Sequence, residues 1–178
     1  MKKLYTILLL IPIVYFMVGC QNNKAMAELL MGLKAKAEIE EQNLELVSKL
    51  WVEWNERNLK FFMDVNAPDF AFYSPSGNPN HMSLEETIER VKMIWEAFPD
   101  ITVNVEETMV ARDKIISKMI YKGTHDGEFC GIPATGNKFE ISGINIIRIK
   151  NGKIVEEWEA FDMLGLMMQL GMELKPKE

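Results

Sequence analysis

The sequence contains few of the residues that cross-link chains or bind metals. Only two cysteines, Cys20 and Cys130, occur among 178 residues, which excludes a disulfide framework. The two histidines, His81 and His125, lie far apart, and no group of His and Cys has the spacing of a zinc site. We therefore expect no zinc site.

Basic residues are also in the minority and are not grouped. Lys and Arg number 20 against 26 Asp and Glu, which gives a net charge of −6. Neutralising nucleic-acid phosphates needs clustered Lys and Arg, so a nucleic-acid partner is excluded. The composition, 48% hydrophobic and 26% charged, is that of an ordinary globular chain of about one domain. What remains is an acidic domain whose chemistry would use carboxylates and contacts with a small molecule.

Long apolar runs are absent except at the N-terminus. Leu4 to Gly19 is an uncharged, mostly apolar run of 16 residues that follows Lys2 and Lys3. This run is short for a membrane-spanning helix, which needs about 20 residues. A positive start, a short apolar run and a small residue before the cut are typical of an export signal. We therefore predict a signal peptide over residues 1–19.

The end of that run resembles a bacterial lipoprotein lipobox. The sequence Met17-Val18-Gly19-Cys20 would make Cys20 the lipidated first residue, with a tether up to residue 42. The alternative is an uncleaved N-terminal membrane anchor. Both interpretations place the domain outside the cytoplasmic membrane, held to the cell membrane or the outer membrane.

The globular part is predicted as helices followed by a sheet. Val47, Leu50, Trp51 and Trp54 have helical spacing, and Ser83 with Glu86 forms a capping box. We predict helices at 43–62, with a break at 55–58, and at 84–98 and 164–170, and strands at 70–73, 101–106, 115–124, 139–150 and 153–162. Helices before an antiparallel sheet indicate an α+β domain over residues 43–171, followed by a tail at 172–178.

The last two strands are joined by Asn151-Gly152, which favours a two-residue hairpin. That turn predicts which residues share the core face, because opposed residues lie on the same side of a sheet. The predicted pairs are Ile149 with Ile154, Ile147 with Glu156, Asn145 with Trp158, Gly143 with Ala160, and Ile141 with Asp162. Asn145 and Asp162 are then polar groups deep in an apolar face.

A carboxylate in such a place is a candidate for acid–base chemistry. Burial among apolar groups raises the pKa of a carboxyl group and makes it a better proton acceptor near neutral pH. Asp162 has a structural alternative, because it stands directly before the last helix, where an Asp commonly caps the helix N-terminus.

Three motifs resemble the SnoaL-like polyketide (ester) cyclases, over roughly residues 42–171. They are Trp95–Asp100, the loop Gly123–Lys138, and Gly152–Trp158 continued by Phe161-Asp162 and Leu164–Gly171. The resemblance implies an NTF2-like cone, in which a curved antiparallel sheet and N-terminal helices enclose an apolar pocket. It also implies that a pocket aspartate acts as general acid and base in an aldol closure without metal or cofactor.

By motif position the aspartate is Asp162, and Glu159 is the alternative if the last strand bulges. We also predict substrate contacts for Asn145, Trp158, Tyr121 and His125. Three of these four residues have a structural alternative: hydrogen bonding for Asn145, aromatic packing for Tyr121, and a surface turn for His125.

Two functions follow as expectations. The first is an anchored domain that binds a small apolar carbonyl-bearing molecule and performs cyclase- or isomerase-like proton transfer. The second is a non-catalytic ligand-binding or interaction module, because one fold supports many functions. An exported domain would not meet intermediates made inside the cell, which favours the second. We also expect a homodimer formed through an exposed sheet face.

Overall fold

The computed structural model describes residues 2–74, 81–173 and 175, except for the side chains of residues 2–22. The chain forms two compact units, one up to Glu41 and one from Gln42 onward. The described part of the chain does not include the side chain of Cys20, the side chains of the predicted signal peptide, or most of the predicted tail. Where side chains are described, no helix has a stretch long and apolar enough to cross a membrane.

The described residues form four helices and five strands. The helices are α1 (Lys2–Asn55), α2 (Leu59–Val65), α3 (Leu84–Ala97) and α4 (Met163–Gln169). The strands are β1 (Asn66–Tyr73), β2 (Thr102–Ala111), β3 (Lys114–Thr124), β4 (Lys138–Lys150) and β5 (Lys153–Phe161). The order of helices first and most strands afterwards confirms the predicted α+β class.

Local signals in the sequence explain where the helices begin and end. The predicted break after α1 is confirmed, and Asn58 caps α2 by accepting a hydrogen bond of 3.1 Å from the backbone N–H of Phe61. The predicted capping box at α3 is also confirmed. There the backbone N–H and hydroxyl of Ser83 donate to Glu86, and these bonds lower the pKa of the Glu86 carboxyl group.

The five strands form one sheet in the order β1-β5-β4-β3-β2. The pairs β2–β3, β3–β4 and β4–β5 are antiparallel, as predicted. The expectation of a wholly antiparallel sheet is wrong at β1, which pairs with β5 in parallel. A parallel pair needs a long connection, and here the chain between β1 and β5 passes through α3 and three strands. As an edge strand, β1 also tolerates Pro68.

The hairpin between β4 and β5 begins as predicted and then changes register. Asn151 and Gly152 have φ of 52° and 71°, as a two-residue turn requires, and Ile149 faces Ile154. Arg148 then faces Glu156, which leaves Val155 as the extra residue of a β-bulge.

The bulge reverses the faces of the rest of β5. Beyond it, Ile147 faces Glu157, Asn145 faces Glu159 and Gly143 faces Phe161. A shift of one residue moves every side chain to the opposite face of a sheet. Glu157, Glu159 and Phe161 therefore point to the core side, and Glu156, Trp158 and Ala160 point away from it.

The core lies between the inner face of the sheet and the helices of the second unit. Val47, Leu50, Trp51 and Trp54 of α1 are buried there, as their helical spacing predicted. They pack in one cluster with side chains of α3 and of all five strands.

Candidate functional site

An apolar cavity of about 70 Å³ lies in the core beneath the helices. Most of its wall is aromatic and aliphatic, with side chains from all four helices and from the sheet. The aromatic residues of the wall are Trp51, Trp54, Phe62, Phe72, Phe98, Phe129, Phe139 and Phe161. Its polar groups are few: Thr87, Arg90, Tyr121, Glu157 and Glu159. An apolar pocket with a few convergent polar groups is the usual form of a small-molecule site.

Glu157 is the most unusual group in this wall. Its side chain is 5% exposed, and Asn145 Nδ2 donates a hydrogen bond of 2.7 Å to Glu157 Oε1. Burial, and then the charge of Glu159, raise the pKa of Glu157 to about 7 against an ordinary value of 4.5. The bond from Asn145 and the charge of Arg90 act in the opposite direction without cancelling the rise. Glu157 is therefore able to hold and release a proton near neutral pH.

Glu159, the next inward residue of β5, has a different set of partners. The Tyr121 hydroxyl donates to Glu159 Oε1 at 2.7 Å, and Arg90 Nη2 donates to Glu159 Oε2 at 2.9 Å. The Arg90 guanidinium also lies 4.7 Å from the centre of the Phe72 ring, which is a cation–π contact. Glu159 is thus one member of a buried ion pair.

Tyr121 stays protonated in this arrangement. Burial, together with the charge of Glu159, raises the pKa of the Tyr121 hydroxyl well above its ordinary value. Tyr121 can therefore donate a hydrogen bond but does not act as a base near neutral pH.

The two carboxyl groups suit two separate tasks. Glu159 is paired with Arg90 and accepts a hydrogen bond from Tyr121, whereas no described cationic side chain is bonded directly to Glu157. A buried carboxyl group with a raised pKa beside polar donors is a candidate for acid–base chemistry. Among the described residues, no cluster of three His, Cys, Asp or Glu side chains is placed to hold a metal ion.

Asp162 does not lie in this cavity. Its side chain is exposed, and Asp162 Oδ1 accepts a hydrogen bond of 2.7 Å from the backbone N–H of Gly165, which caps α4. The expected core-face position of Asp162 is wrong because the pairing that placed it there assumed a regular hairpin, which the bulge at Val155 interrupts. With that bulge Glu159 turns inward, as the alternative for a bulged strand expected. The structural alternative, the helix cap, is the role that the geometry shows.

The prediction that Trp158 lies on the core face is wrong for the same reason. Its side chain is 48% exposed on the outer face of β5, where its ring stacks on Tyr73 with centroids 4.0 Å apart. Trp158 therefore does not line the cavity.

Three other predicted contact residues are buried. Tyr121 lines the cavity, and Asn145 is fully buried next to Glu157. His125 is also fully buried, with Nδ1 3.0 Å from Thr135 Oγ1 and its ring against Phe98, so it is not a surface turn residue. His125 is not among the residues that line the cavity.

Sequence reasoning missed Glu157 and Arg90. Glu157 lies two residues before Glu159 on the same face, so the bulged alternative that the sequence analysis considered for Glu159 also turns Glu157 inward. Arg90 carried a visible signal, since it lies with Thr87, Val91 and Ile94 on one face of α3. A charged residue within an apolar helical stripe needs a partner or a function.

Comparison with known proteins agrees with this geometry. A family model described as SnoaL-like polyketide cyclase matches residues 44–170. Over 55 residues, 31% of this chain, the sequence is 42% identical to the aklanonic acid methyl ester cyclases DnrD of Streptomyces peucetius and DauD of Streptomyces sp. (strain C5). The matched stretch is about a third of the length of these curated relatives, at 38% and 34%.

Solved structures with the same fold cover more of the chain. AclR, a proposed hydroxylase of Streptomyces galilaeus, is 27% identical with a TM-score of 0.68, over 76% of this chain and 97% of AclR. IdmH, a proposed polyketide cyclase of Streptomyces antibioticus, is 28% identical with a TM-score of 0.66, over 74% of this chain and 99% of IdmH. The expected NTF2-like architecture is thereby confirmed.

Proposed function

Because this chain belongs to the SnoaL-like polyketide cyclase family, we propose that its cavity binds a small, largely apolar molecule with carbonyl groups and that Glu157 exchanges a proton with it. The observation that carries the proposal is the position of Glu157, buried in the cavity wall with a pKa raised to about 7. This proposal replaces Asp162 with Glu157 as the acid–base group.

Binding would use the apolar wall for most of the molecule and few polar contacts. Arg90 and Tyr121 line the cavity, and their shared partner Glu159 fixes both of them. The Arg90 N–H groups that are not used by Glu159 are donors for a carbonyl oxygen. The Arg90 charge also stabilises negative charge that develops on that oxygen.

The reaction would begin with ionised Glu157 taking a proton from a carbon flanked by carbonyl groups. The electron pair of that C–H bond moves to the carbonyl oxygen and forms an enolate near Arg90. In a cyclase, the enolate carbon then forms a bond to another carbonyl carbon of the same molecule, and the new alkoxide takes the proton back from Glu157. In an isomerase, the proton returns to a different atom of the enolate. Neither route needs a group beyond the side chains named here.

The two curated relatives are named as cyclases of aklanonic acid methyl ester, so this compound is a suitable probe. We would incubate the protein with aklanonic acid methyl ester in D₂O and follow deuterium uptake and ring closure by mass spectrometry. Glu157→Gln should reduce both by about 100-fold or more, the usual contribution of a general base. The matched control is Glu156→Gln, one residue away on the outer face, which should leave the rates unchanged.

Two results would count against this proposal. Equal rates for the wild type and Glu157→Gln would remove Glu157 from the reaction. Tight binding of the probe without exchange or closure in the wild type would favour the alternative, a non-catalytic ligand-binding module on this scaffold.

We further propose that Cys20 anchors the domain to a membrane outside the cytoplasm. The support is the Lys2-Lys3 start, the apolar run to Gly19 and the lipobox-like end. Such a location supports the binding alternative for the natural ligand, since intracellular intermediates would not reach it. A homodimer through the outer sheet face, where Trp158 and Ile144 are exposed, stays a prediction that analytical ultracentrifugation tests.

A further inference from the structure

A second cavity, of about 300 Å³, lies between α1 and the strands β2 and β3. Its outer rim contains the exposed residues Ser48, Val52 and Asn104. The α1 wall is tied to β2 because Asn55 Nδ2 donates to the Val103 carbonyl at 2.9 Å and the Val103 N–H donates to Asn55 Oδ1 at 2.8 Å. This cavity is separate from the apolar one, and Trp51 lines both.

Two residues that line this second cavity each have a buried side-chain polar atom without a hydrogen-bond partner among the described residues. They are Trp51 Nε1, on a side chain that is 7% exposed, and Ser117 Oγ, on a side chain that is 1% exposed. Buried polar groups almost always have a partner, in the protein or in ordered water. The two atoms therefore need a partner that the described side chains do not supply.

A third buried atom without a partner among the described side chains belongs to Asn145, whose amide donates a hydrogen bond to Glu157. Asn145 donates from Nδ2 to Glu157, but Asn145 Oδ1 is buried with no partner in the described part of the chain. Ser117 and Asn145 are directly opposed on β3 and β4. Opposed residues on one face of a sheet have Cβ atoms about 4.5–5.5 Å apart. A donor and an acceptor at that spacing, not in direct contact, can be joined by one water molecule.

We propose that a water molecule enters from the second cavity and binds Trp51 Nε1–H, Ser117 Oγ and Asn145 Oδ1, and that Ser117 is a positioning residue for the Asn145 amide. Three hydrogen bonds are the usual number for a buried water. The water gives Asn145 Oδ1 a donor, which fixes the amide with Nδ2 toward Glu157. The importance of this contact for proton transfer rests on the proposed function, but the water site itself does not.

The groups around Glu157 allow this effect to be measured. The other polar groups that face this region are Arg90 from α3, Tyr121 from β3 and Glu159 on β5. Substituting Ser117 replaces none of these three residues. The bond from Asn145 holds the pKa of Glu157 down, so loosening the amide should raise that pKa.

The experiment compares Ser117→Ala with Ser48→Ala in the protein without ligand. Ser48 lines the same cavity at its exposed rim, so it is the matched control. A high-resolution crystal structure of the wild type should show one water within about 3.2 Å of all three atoms. A ¹³C NMR titration should show the pKa of Glu157 rising by about half a unit to one unit in Ser117→Ala, and unchanged in Ser48→Ala.

A second variant removes the other donor. Trp51→Phe keeps a ring in the wall but lacks the N–H, and it should raise the pKa of Glu157 in the same direction. A structure without the bridging water would overturn the proposal. So would a Ser117→Ala variant with a higher melting temperature and an unchanged Glu157 pKa, because that result marks an isolated, unpaired hydroxyl.

These results are independent of the proposed catalysis. All of them are read without substrate. If the pKa shifts occur while Glu157→Gln retains full turnover of the probe, the water site stands and the proposed function fails.

Discussion

Glu157 and Glu159 are successive inward-facing residues of β5, yet among the side chains that the structure describes a cation pairs with Glu159 and none with Glu157. Arg90 Nη2 lies 2.9 Å from Glu159 Oε2, whereas the partner of Glu157 is the neutral amide of Asn145 at 2.7 Å. Since burial penalises an unpaired charge, the pKa of Glu157 is raised above its ordinary value.

The stability of the protein should depend on the protonation of Glu157. Its pKa is about 7 in the folded state and about 4.5 when the chain is unfolded, so the folded state binds the proton more tightly. The contribution to stability is therefore complete below pH 4.5 and is lost as pH rises through 7, by on the order of 3 kcal/mol. Glu157→Gln should lack this loss, so urea unfolding from pH 4.5 to 8 should show a smaller decline than in the wild type. Parallel curves for the two proteins would contradict the raised pKa.

Removing the charge of Glu159 should lower the pKa of Glu157. The negative charge of Glu159 raises that pKa, and Glu159→Gln also leaves Arg90 unpaired near Glu157. We expect a decrease of about one unit in a ¹³C NMR titration, and an equal shift to lower pH in any rate that depends on ionised Glu157. Glu156→Gln is the control, because Glu156 pairs with Arg148 at 2.9 Å away from the cavity. An unchanged or higher pKa in Glu159→Gln would contradict the prediction.

Asp162 should behave as a helix cap. Asp162→Ala removes the acceptor of the Gly165 N–H and should lower the free energy of unfolding by about 1 kcal/mol, whereas Asp162→Asn should be nearly neutral, because Asn caps as well as Asp. Urea unfolding measures both. Neither change should affect exchange with the probe, and a large rate loss in a stable Asp162→Asn variant would return the catalytic role to Asp162.

Cys20→Ser should release the protein from the membrane of a bacterial host. The full chain would be expressed with a radiolabelled fatty acid, and the wild type should be labelled and sediment with the membranes. Cys130→Ser is the matched control, since Cys130 is an exposed free cysteine and should keep the label. An unlabelled wild type that still sediments with membranes would favour the uncleaved anchor.

Signals that act within a few residues predicted the fold well. Ser83 with Glu86 identified the start of α3, Asn151-Gly152 identified the hairpin, and the spacing from Val47 to Trp54 identified a buried helix face. Each of these depends on local geometry, which the sequence states directly. The parallel pairing of β1 depends on contacts between residues far apart in the chain, and no local pattern reports it.

The site was harder to predict because one residue changes it. Asn145 and Tyr121 were correctly placed in the core, since they precede the bulge or lie on another strand. A regular hairpin assigns every position after Val155 to the wrong face, so Trp158 and Asp162 were expected in the site instead of Glu157. Glu159 was considered only as the alternative for a bulged strand. The sequence from Lys153 to Phe161 has no Gly that would mark a bulge.

The extra residue at Val155 has a consequence for how this scaffold acquires new chemistry. Inserting or deleting one amino acid there turns the inward-facing side chains of the strand outward and the outward-facing ones inward. The functional groups that a bound ligand contacts then change, although none of those amino acids is itself replaced. Relatives with a nearly identical sequence in this segment can therefore differ in reactivity through a single insertion or deletion. Assigning a reactive acid within such a lineage requires coordinates for each member, because aligned letters alone do not identify it.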